Sequence, residues 1–397
     1  VQGAPHVQAH NDERDVINAI DARTTDEAFA DKITTGSEPR PASNIGTRIF
    51  GGRMGTFNNG TPNTFHVALE TAQHFDAVQL ILANTSPVIS DLTVNTAACV
   101  AADKTDLNNN AGPWVIGSKG GLSRIATALS PGVNRIAYTT TDWIPISSIP
   151  RTDGGTQPLL MVRAYISANA ALPVYGDGTD DFTNWVTRTD GHLWCARRQA
   201  VDGVGTPANF TSTTDTSQSP IVGVRYASRG KVVTVLAVGD SNTEGRGTYL
   251  NEGLVMQACS DLSDMAGVAI EYANCGWAGQ TAALFAERAI DLLESDLKPD
   301  VIVMPTSSPN DFVSTLTAAN IADARNRRAR VVAAAEQANV RPILWTWIPT
   351  NTAVRAWGSS DALRVADNAA AMAMQPHIPV ADVSQPGPVR PRQVRCS

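Results

Sequence analysis

One apolar run constrains the fold of this chain more than any other stretch. Residues 232–238 are Val-Val-Thr-Val-Leu-Ala-Val, and the run stops at Gly239-Asp240-Ser241. A short β-branched run that ends in a polar turn is typical of a buried parallel strand. In open α/β sheets, ligands bind at the carboxyl ends of such strands. Ser241 therefore stands where a nucleophile would be placed. The alternative is a plain helix N-cap, because Asp and Ser both cap helices well.

After this run, strand-like and helix-like segments alternate. Predicted strands cover 231–238, 268–274, 300–304, 342–347 and 378–382. Predicted helices cover about 251–265, 282–297, 318–339 and 361–374. This alternation predicts βαβ units around a parallel sheet, and so a three-layer α/β domain over 229–385.

The first part of the chain has a different residue pattern. Residues 1–45 predict an irregular segment. Residues 46–228 contain short β-rich runs separated by Gly, Asn, Asp and Pro, which predicts an N-terminal β-sandwich (jelly-roll-like) or barrel-like domain. Residues 386–397 are rich in Pro and Arg, and they predict a disordered tail.

Composition excludes several classes of protein. A length of 397 residues favours two domains, and the net charge of −7 argues against a nucleic-acid partner. No run reaches the ~18 apolar residues of a membrane helix, so no membrane partner is expected. The chain starts at Val1 without an apolar leader, so either a signal peptide has been removed or the chain is a fragment. The low charge and many Thr and Asn residues favour a secreted, extracellular protein of bacterial type.

The five cysteines show no metal-binding pattern. They include no CxxC and no His-rich spacing, so neither a metal nor another cofactor is expected. A disulfide between Cys99 and Cys195 is an open possibility. The oligomeric state is left open as well.

Three of the predicted strands end in polar loops, at 239–243, 274–281 and 306–311. The carboxyl ends of parallel strands meet at one edge of a sheet, so we expect the loops to converge. Acyl transfer needs a nucleophile and hydrogen-bond donors for the developing oxyanion. Ser241 Oγ could be the nucleophile. The donors could be the backbone N–H groups of Ser241 and Gly279 and the side-chain amide of Asn310.

These loops resemble the signature blocks of the SGNH, or GDSL-type, hydrolases. The matching blocks are Gly239-Asp240-Ser241, Gly279, and Asn310-Asp311, and the resemblance covers about 229–382. It implies a flavodoxin-like hydrolase domain and a serine carboxylesterase that needs no cofactor. The β-rich half more loosely resembles the N-terminal β-domain of some secreted bacterial members. Short-chain, acetyl-type esters are the implied substrates, and acylated carbohydrates are a further class.

The resemblance also implies a role for each residue. Ser241 would be the nucleophile and first oxyanion donor, Gly279 the second donor and Asn310 the third. Asp240 would hold its loop, and Asp311 would support the structure. Gly276 competes with Gly279 for the second block. In the third block, Ser308 and Pro309 replace the family's Gly and variable residue.

The family's Asp-x-x-His, which supplies the general base, is missing. Asp382 is followed by Val-Ser-Gln, and no histidine occurs after His377, which precedes the last predicted strand. The simplest explanation is that the chain is truncated or altered before this block. The remaining histidines all lie in the first half, and each taken alone favours a structural or surface role: His6, His10, His66, His74 and His192. The competing hypothesis is therefore a degenerate, non-catalytic scaffold that binds glycan or protein.

Three tryptophans allow two interpretations. Trp345 and Trp347 fall on one face of a predicted strand, where core packing is favoured over an aromatic wall for substrate. Trp277 lies in the second loop, and there the two interpretations are balanced.

Overall fold

The computed structural model describes the chain in stretches separated by gaps. The described residues are 45–49, 53–57, 63–84, 93–99, 115–126, 135–145, 159–166, 170–174, 193–199, 202–204, 214–215, 219–228, 230–245, 254–297, 299–311, 316–347, 361–375 and 377–384. The predicted tail 386–397 and, apart from Ile45, the predicted irregular segment 1–45 lie outside them.

The described residues form many strands in the first half and alternating strands and helices in the second. The strands of the first half are β1 (Ile45–Ile49), β2 (Arg53–Phe57), β3 (Asn63–Glu70), β4 (Phe75–Asn84), β5 (Thr93–Cys99), β6 (Val115–Gly117), β7 (Arg124–Ala126), β8 (Ala137–Thr140), β9 (Ile144–Pro145), β10 (Leu159–Ile166), β11 (Ala170–Val174), β12 (Leu193–Gln199), β13 (Thr214–Asp215) and β14 (Ile221–Ser228). The strands of the second half are β15 (Val232–Gly239), β16 (Ala269–Gly276), β17 (Val301–Pro305), β18 (Arg341–Trp345) and β19 (Val380–Ala381). The helices are α1 (Ser241–Glu244), α2 (Leu254–Ala266), α3 (Ala282–Glu294), α4 (Ala318–Gln337) and α5 (Asp361–Met372).

The last five strands form a parallel sheet in the order β19-β18-β17-β15-β16. In chain order this is the flavodoxin-like arrangement 2-1-3-4-5. The strand order reverses between β15 and β17, so the loops after these two strands face each other at the ligand-binding edge. The predicted parallel sheet and its helices are confirmed, with ends shifted by a few residues.

Helices cover both faces of this sheet. Leu236 and Val238 pack in one core cluster with residues of α3, α4 and α5. Val235 and Ala237 pack in another cluster with residues of α2. Successive strand residues point to opposite faces, so one apolar run supplies both cores. The sheet thus lies between two layers of helices, as the predicted three-layer α/β architecture requires.

The parallel sheet continues into the first half of the chain. β1 lies parallel beside β16, and β14, β4 and β8 follow as antiparallel strands, with β9 also on β4. The result is a ten-stranded sheet that crosses the predicted boundary at 228/229. A separate antiparallel sheet has the order β13-β12-β3-β10-β5-β6, with β7 on β5. Strands β2 and β11 form a third, two-stranded sheet.

Buried polar groups join the two halves at β16. Glu271 on β16 is fully buried, and its carboxylate accepts hydrogen bonds from Arg48 Nη1 at 3.1 Å and Tyr226 Oη at 2.7 Å. The backbone N–H of Ala72 donates to the same carboxylate at 2.9 Å. All three donors come from residues before 229, so the halves share a polar connection as well as a sheet.

The strand order excludes the disulfide between Cys99 and Cys195. Cys99 lies on β5 and Cys195 on β12, and β10 and β3 separate these strands. Three strand spacings amount to roughly 14 Å. Disulfide-bonded cysteines have Cα atoms only about 4.4–6.8 Å apart. Cys99 and Cys195 are therefore too far apart to form the disulfide that the sequence left open. Cys259 and Cys275 are free and buried.

No helix within the described stretches is long and apolar enough to cross a membrane.

Candidate active site

The first loop places Ser241 at the start of α1. Asp240 is the N-cap of this helix, and its Oδ1 accepts a hydrogen bond from the Asn242 N–H at 2.9 Å. Asp240 is buried, whereas Ser241 is half-buried. The capping interpretation of Gly-Asp-Ser therefore applies to Asp240. It leaves Ser241 at the carboxyl end of β15, where the nucleophile was predicted.

The second loop distinguishes its two candidate glycines. A Cβ atom on Gly276 would lie 2.2 Å from the backbone nitrogen of Glu244, so this position must be glycine for α1 to pack on β16. Gly279 is exposed, has φ +81°, and would have no atom within 4 Å of a Cβ. Gly276 thus serves packing. The space beside Gly279 is open.

The third loop contains a 3₁₀ turn, Pro309–Asp311. The Asp311 carboxylate accepts hydrogen bonds from the Ala282 N–H at 2.8 Å, Ser307 Oγ at 2.8 Å and the Ser308 N–H at 2.9 Å. It therefore ties its own turn to the start of α3. This geometry supports the structural role that the resemblance implies for Asp311.

Two side chains of the third loop hold the three loops together. Asn310 Nδ2 donates a hydrogen bond to the Gln280 carbonyl oxygen at 3.0 Å. Ser308 Oγ lies 2.6 Å from Asp240 Oδ2 and 2.9 Å from the same carbonyl oxygen. The predicted convergence of the loops at one edge of the sheet is therefore present, and Asp240 and Asn310 are connected through Ser308 and Gln280.

Two carboxyl groups of the site, the buried Asp240 and the partly buried Asp311, have raised pKa values. Burial raises the pKa of Asp240, and the nearby Asp311 adds to this effect, although hydrogen bonds from Ser308 and Asn242 act against it. Burial also raises the pKa of Asp311 against its hydrogen bonds. Desolvation destabilises a carboxylate, so proton loss from either group is harder than in water.

None of the described histidines lies at the edge of the ten-stranded sheet that holds Ser241. His377 is exposed and precedes β19, a parallel strand, so it lies at the amino-end edge of the sheet. His74 immediately precedes β4, whose Phe75 pairs with Ser228 at that same amino-end edge. His66 is fully buried on β3 and belongs to the other large sheet. Its Nδ1 accepts a hydrogen bond from Arg163 Nε at 3.3 Å.

The remaining histidines, His6, His10 and His192, fall outside the described residues, as does Gln385. Asp382 lies at the carboxyl end of β19, where the Asp-x-x-His block would stand. Its Oδ1 accepts hydrogen bonds from Thr346 Oγ1 at 2.9 Å and the Ser384 N–H at 3.0 Å. These contacts fix the end of β19.

One buried residue next to the site was not predicted from the sequence. Arg288 on α3 is fully buried, and its Nη2 donates to the Gly239 carbonyl oxygen at 3.1 Å. Its guanidinium also lies 5.1 Å from the centre of the Trp277 ring. Phe285 and Leu292 flank it on the apolar face of α3. A charged residue at a core-facing helical position was the available signal.

Trp277, Trp345 and Trp347, the three tryptophans considered from the sequence, are all buried. Trp277 is 6% exposed and packs in the main cluster, so the aromatic-wall interpretation is wrong for it. Trp345 and Trp347 are also buried, as core packing predicted. Trp347 lies beyond the end of β18, and its Nε1 donates to Asp367 at 2.9 Å.

The described residues contain no group of three or more His, Cys, Asp or Glu side chains that could hold a metal ion.

Comparisons with known proteins find similarity at the level of solved structures. No family model and no curated protein matches the chain. A GDSL-like lipase from Bacteroides thetaiotaomicron is 22% identical with a TM-score of 0.29, and the match covers 38% of this chain and 67% of the lipase. AlinE4, an SGNH-hydrolase family esterase, is 20% identical with a TM-score of 0.28, over 42% of this chain and 89% of the esterase.

The psychrotrophic esterase EstA from a Pseudoalteromonas species is 20% identical with a TM-score of 0.26, over 38% of this chain and 76% of EstA. The solved structures compared above are a GDSL-like lipase, an SGNH-hydrolase family esterase and an esterase, and the match to each covers less than half of this chain.

Proposed function

We propose that this chain is a serine ester hydrolase that acts through an acyl-enzyme at Ser241. The observation that carries the proposal is the hydrogen-bonded junction of the three loops. It connects the cap of the Ser241 helix to Gln280, next to Gly279, and to the Asn310 amide. These are the loops that the chemistry requires at one edge of the sheet.

The proposed reaction has two stages. Ser241 Oγ attacks the ester carbonyl, a base takes its proton, and the alcohol leaves with a proton returned by that base. Water then attacks the acyl-enzyme and releases the acid. The Ser241 and Gly279 N–H groups and the Asn310 amide would stabilise the oxyanion in both stages. Short-chain, acetyl-type esters, including those on carbohydrates, are the proposed substrates.

A second candidate function is supported by the positions of the histidines. None of the three described histidines lies at the Ser241 edge of the sheet, and a serine without a base is a weak nucleophile. A non-catalytic scaffold that binds glycan or protein would need no base. His6, His10 and His192 are the histidines left to supply one.

The first experiment measures hydrolysis of p-nitrophenyl acetate by the chain and by its Ser241→Ala variant. Turnover that falls to background in Ser241→Ala supports the hydrolase. A Thr243→Ala variant is the matched control, because it removes a neighbouring hydroxyl of the same helix that is fully buried. Equal, near-background rates in the parent chain and Ser241→Ala would favour the scaffold. An acetylated oligosaccharide then tests the carbohydrate class.

We also propose that 46–228 forms a β-sandwich-like domain and 229–385 a hydrolase domain, in a secreted protein. The separate antiparallel sheet of the first half supports the former. Limited proteolysis tests the boundary: cleavage near residue 229 that leaves two stable fragments would support it. A chain that is cleaved only outside both regions would argue that the shared ten-stranded sheet makes them one unit.

A further inference from the structure

Ser308 occupies the point where the three loops meet. Its side chain is fully buried, and its Oγ lies 2.6 Å from Asp240 Oδ2 and 2.9 Å from the Gln280 carbonyl oxygen. The Asn310 N–H donates to the same Oγ at 3.2 Å. Three polar groups from three loops thus contact one hydroxyl group that is shielded from water.

A count of protons limits the ways in which these hydrogen bonds can run. A serine hydroxyl donates one hydrogen bond and accepts up to two, and a carbonyl oxygen only accepts. If Asp240 were ionised, its Oδ2 and the Gln280 oxygen would compete for the single Ser308 proton. One of the two short oxygen–oxygen contacts would then hold no proton. If Asp240 carries a proton on Oδ2, it donates to Ser308, and Ser308 donates to Gln280.

The Gln280 carbonyl oxygen extends this connection to the proposed oxyanion donor. Asn310 Nδ2 donates to it at 3.0 Å, so its two lone pairs are taken by Ser308 and Asn310. One hydrogen of the Asn310 amide is thereby fixed on Gln280. The other hydrogen keeps a defined direction, which a preorganised oxyanion donor requires.

We propose that Ser308 is a positioning residue of the active site, acting between a protonated Asp240 carboxyl group and the Gln280 carbonyl oxygen to orient the Asn310 amide. The inference rests on the proposed hydrolase function and deepens it. Asp240 then donates to Ser308 as a neutral acid.

Burial shifts Asp240 toward the neutral acid. Burial, the largest effect, and the nearby Asp311 raise the pKa of Asp240, whereas hydrogen bonds donated by Ser308 and Asn242 lower it, and the net direction is upward. The other ionisable groups close to its loop are Arg288, which donates to the Gly239 carbonyl oxygen, and Glu244, whose N–H donates to the Asp240 carbonyl oxygen. Arg288 would favour the ionised form, and Glu244 would oppose it.

The backbone explains why a serine is tolerated where the family pattern has glycine. Among the described residues, Asn339 is the only one other than glycine with a positive φ. Ser308 therefore needs no glycine-specific conformation. Its hydroxyl is an addition to the pattern that brings a hydrogen-bonding atom into the junction.

The kinetic test compares Ser308→Ala with Ser307→Ala. Ser307 is a matched control because its buried hydroxyl bonds Asp311 in the same loop without touching Asp240 or Gln280. We expect Ser308→Ala to lower kcat about tenfold with KM unchanged, since loss of a whole oxyanion donor costs about 10²–10³-fold. Ser307→Ala should stay within about twofold of the parent chain. Unchanged kcat in Ser308→Ala, or an equal loss in both variants, would overturn the proposal.

A spectroscopic test examines the proton independently of activity. The infrared spectrum of the intact chain at pH 7 should show a protonated-carboxyl band that disappears in Asp240→Asn and persists in Asp311→Asn. If no band depends on Asp240, the proton assignment is wrong, whatever the kinetics show. This measurement needs no turnover and no Ser308 variant. A chain that shows the band but no Ser241-dependent hydrolysis would therefore refute the hydrolase function and leave the protonated carboxyl group in place.

Discussion

Gly276 and Glu244 approach so closely that only a hydrogen atom fits between them. A Cβ on Gly276 would lie 2.2 Å from the Glu244 backbone nitrogen and 2.7 Å from its Cα. The Glu244 side chain also accepts a hydrogen bond from the Ala278 N–H at 2.6 Å. The helix α1, which carries Ser241, thus packs directly against the end of β16. The position of α1 depends on this contact.

The Gly276→Ala variant should therefore be destabilised and should displace α1. Backbone atoms cannot yield as a flexible side chain would, so we expect the free energy of unfolding to fall by about 1–3 kcal/mol or more. Urea unfolding measures the loss, and hydrolysis of p-nitrophenyl acetate by the remaining folded protein should fall with it. A variant as stable as the parent chain would show that α1 moves freely.

Gly279→Ala should behave differently, because the space beside Gly279 is open and only its φ of +81° is unfavourable for alanine. We expect a loss in stability of about 1–2 kcal/mol. If alanine turns the N–H group away from the substrate, kcat falls while KM changes little. Gly279→Asn is the matched variant, because asparagine tolerates positive φ better. It should recover both stability and kcat. Equal kcat in all three proteins would mean that the Gly279 N–H is not an oxyanion donor. Gly276 would then again be a candidate for that role.

The α/β half of the fold could be predicted from the sequence because its signals are local. β-branched runs such as 232–238 specify buried strands, and apolar residues at helical spacing specify the covering helices. Parallel strands then bring their carboxyl ends together by geometry alone. The convergence of the loops that hold Ser241, Gly279 and Asn310 follows from that geometry.

The parts that could not be predicted depend on contacts between distant residues. The pairing of β1 with β16 joins residues more than two hundred positions apart, and no local pattern marks it. The junction at Ser308 joins side chains of the first and third loops to a backbone carbonyl oxygen of the second, and the sheet sets how these loops are placed relative to one another. The helical position of Arg288 marks it as a buried charge, but its partner Gly239 lies 49 residues away and no local pattern identifies it.

Glu271→Ala should be among the most destabilising substitutions in this chain. Its fully buried carboxylate binds Arg48, Tyr226 and the Ala72 N–H. Removing one partner of a buried ion pair typically costs about 3–5 kcal/mol. Urea unfolding should show this loss, with Asp323→Ala as the control. Asp323 forms an exposed pair with Arg327, for which about 0.2–1 kcal/mol is expected. Similar losses in the two variants would mean that Glu271 does not connect the halves.

Acid stability should depend on Asp367. Burial alone would raise the pKa of Asp367, but hydrogen bonds and charge from Arg328, with bonds from Arg325 and Trp347, outweigh burial and lower it. A carboxyl pKa lowered by folding means that the folded chain binds fewer protons than the unfolded chain. Its stabilising effect is complete above the unfolded value of about 3.9 and is lost as pH falls through the folded value.

We therefore expect Asp367→Asn to be less stable than the parent chain at pH 7, with the difference shrinking below about pH 4. Urea midpoints from pH 7 to pH 2.5 measure it. Asp361→Asn is the control, because Asp361 is partly exposed and pairs only with Arg364 among the contacts seen. If the difference in stability between Asp367→Asn and the parent chain does not change with pH, then these hydrogen bonds and charges do not lower the pKa of Asp367.

The positions of His74 and His377 predict that neither is the general base. Both lie at the amino-end edge of the sheet, whereas Ser241 lies at the carboxyl-end edge, separated by the eight residues of β15. At a rise of about 3.3 Å per residue, the two edges are roughly 26 Å apart, far beyond hydrogen-bond reach. His74→Gln and His377→Gln should therefore keep the Ser241-dependent rate within about twofold. A large loss in either variant would contradict the assignment of edges.

The same substitution at His6, His10 and His192 completes the comparison. A loss of kcat confined to one of these three variants would identify the base, because a general base typically contributes about 10²–10⁴-fold.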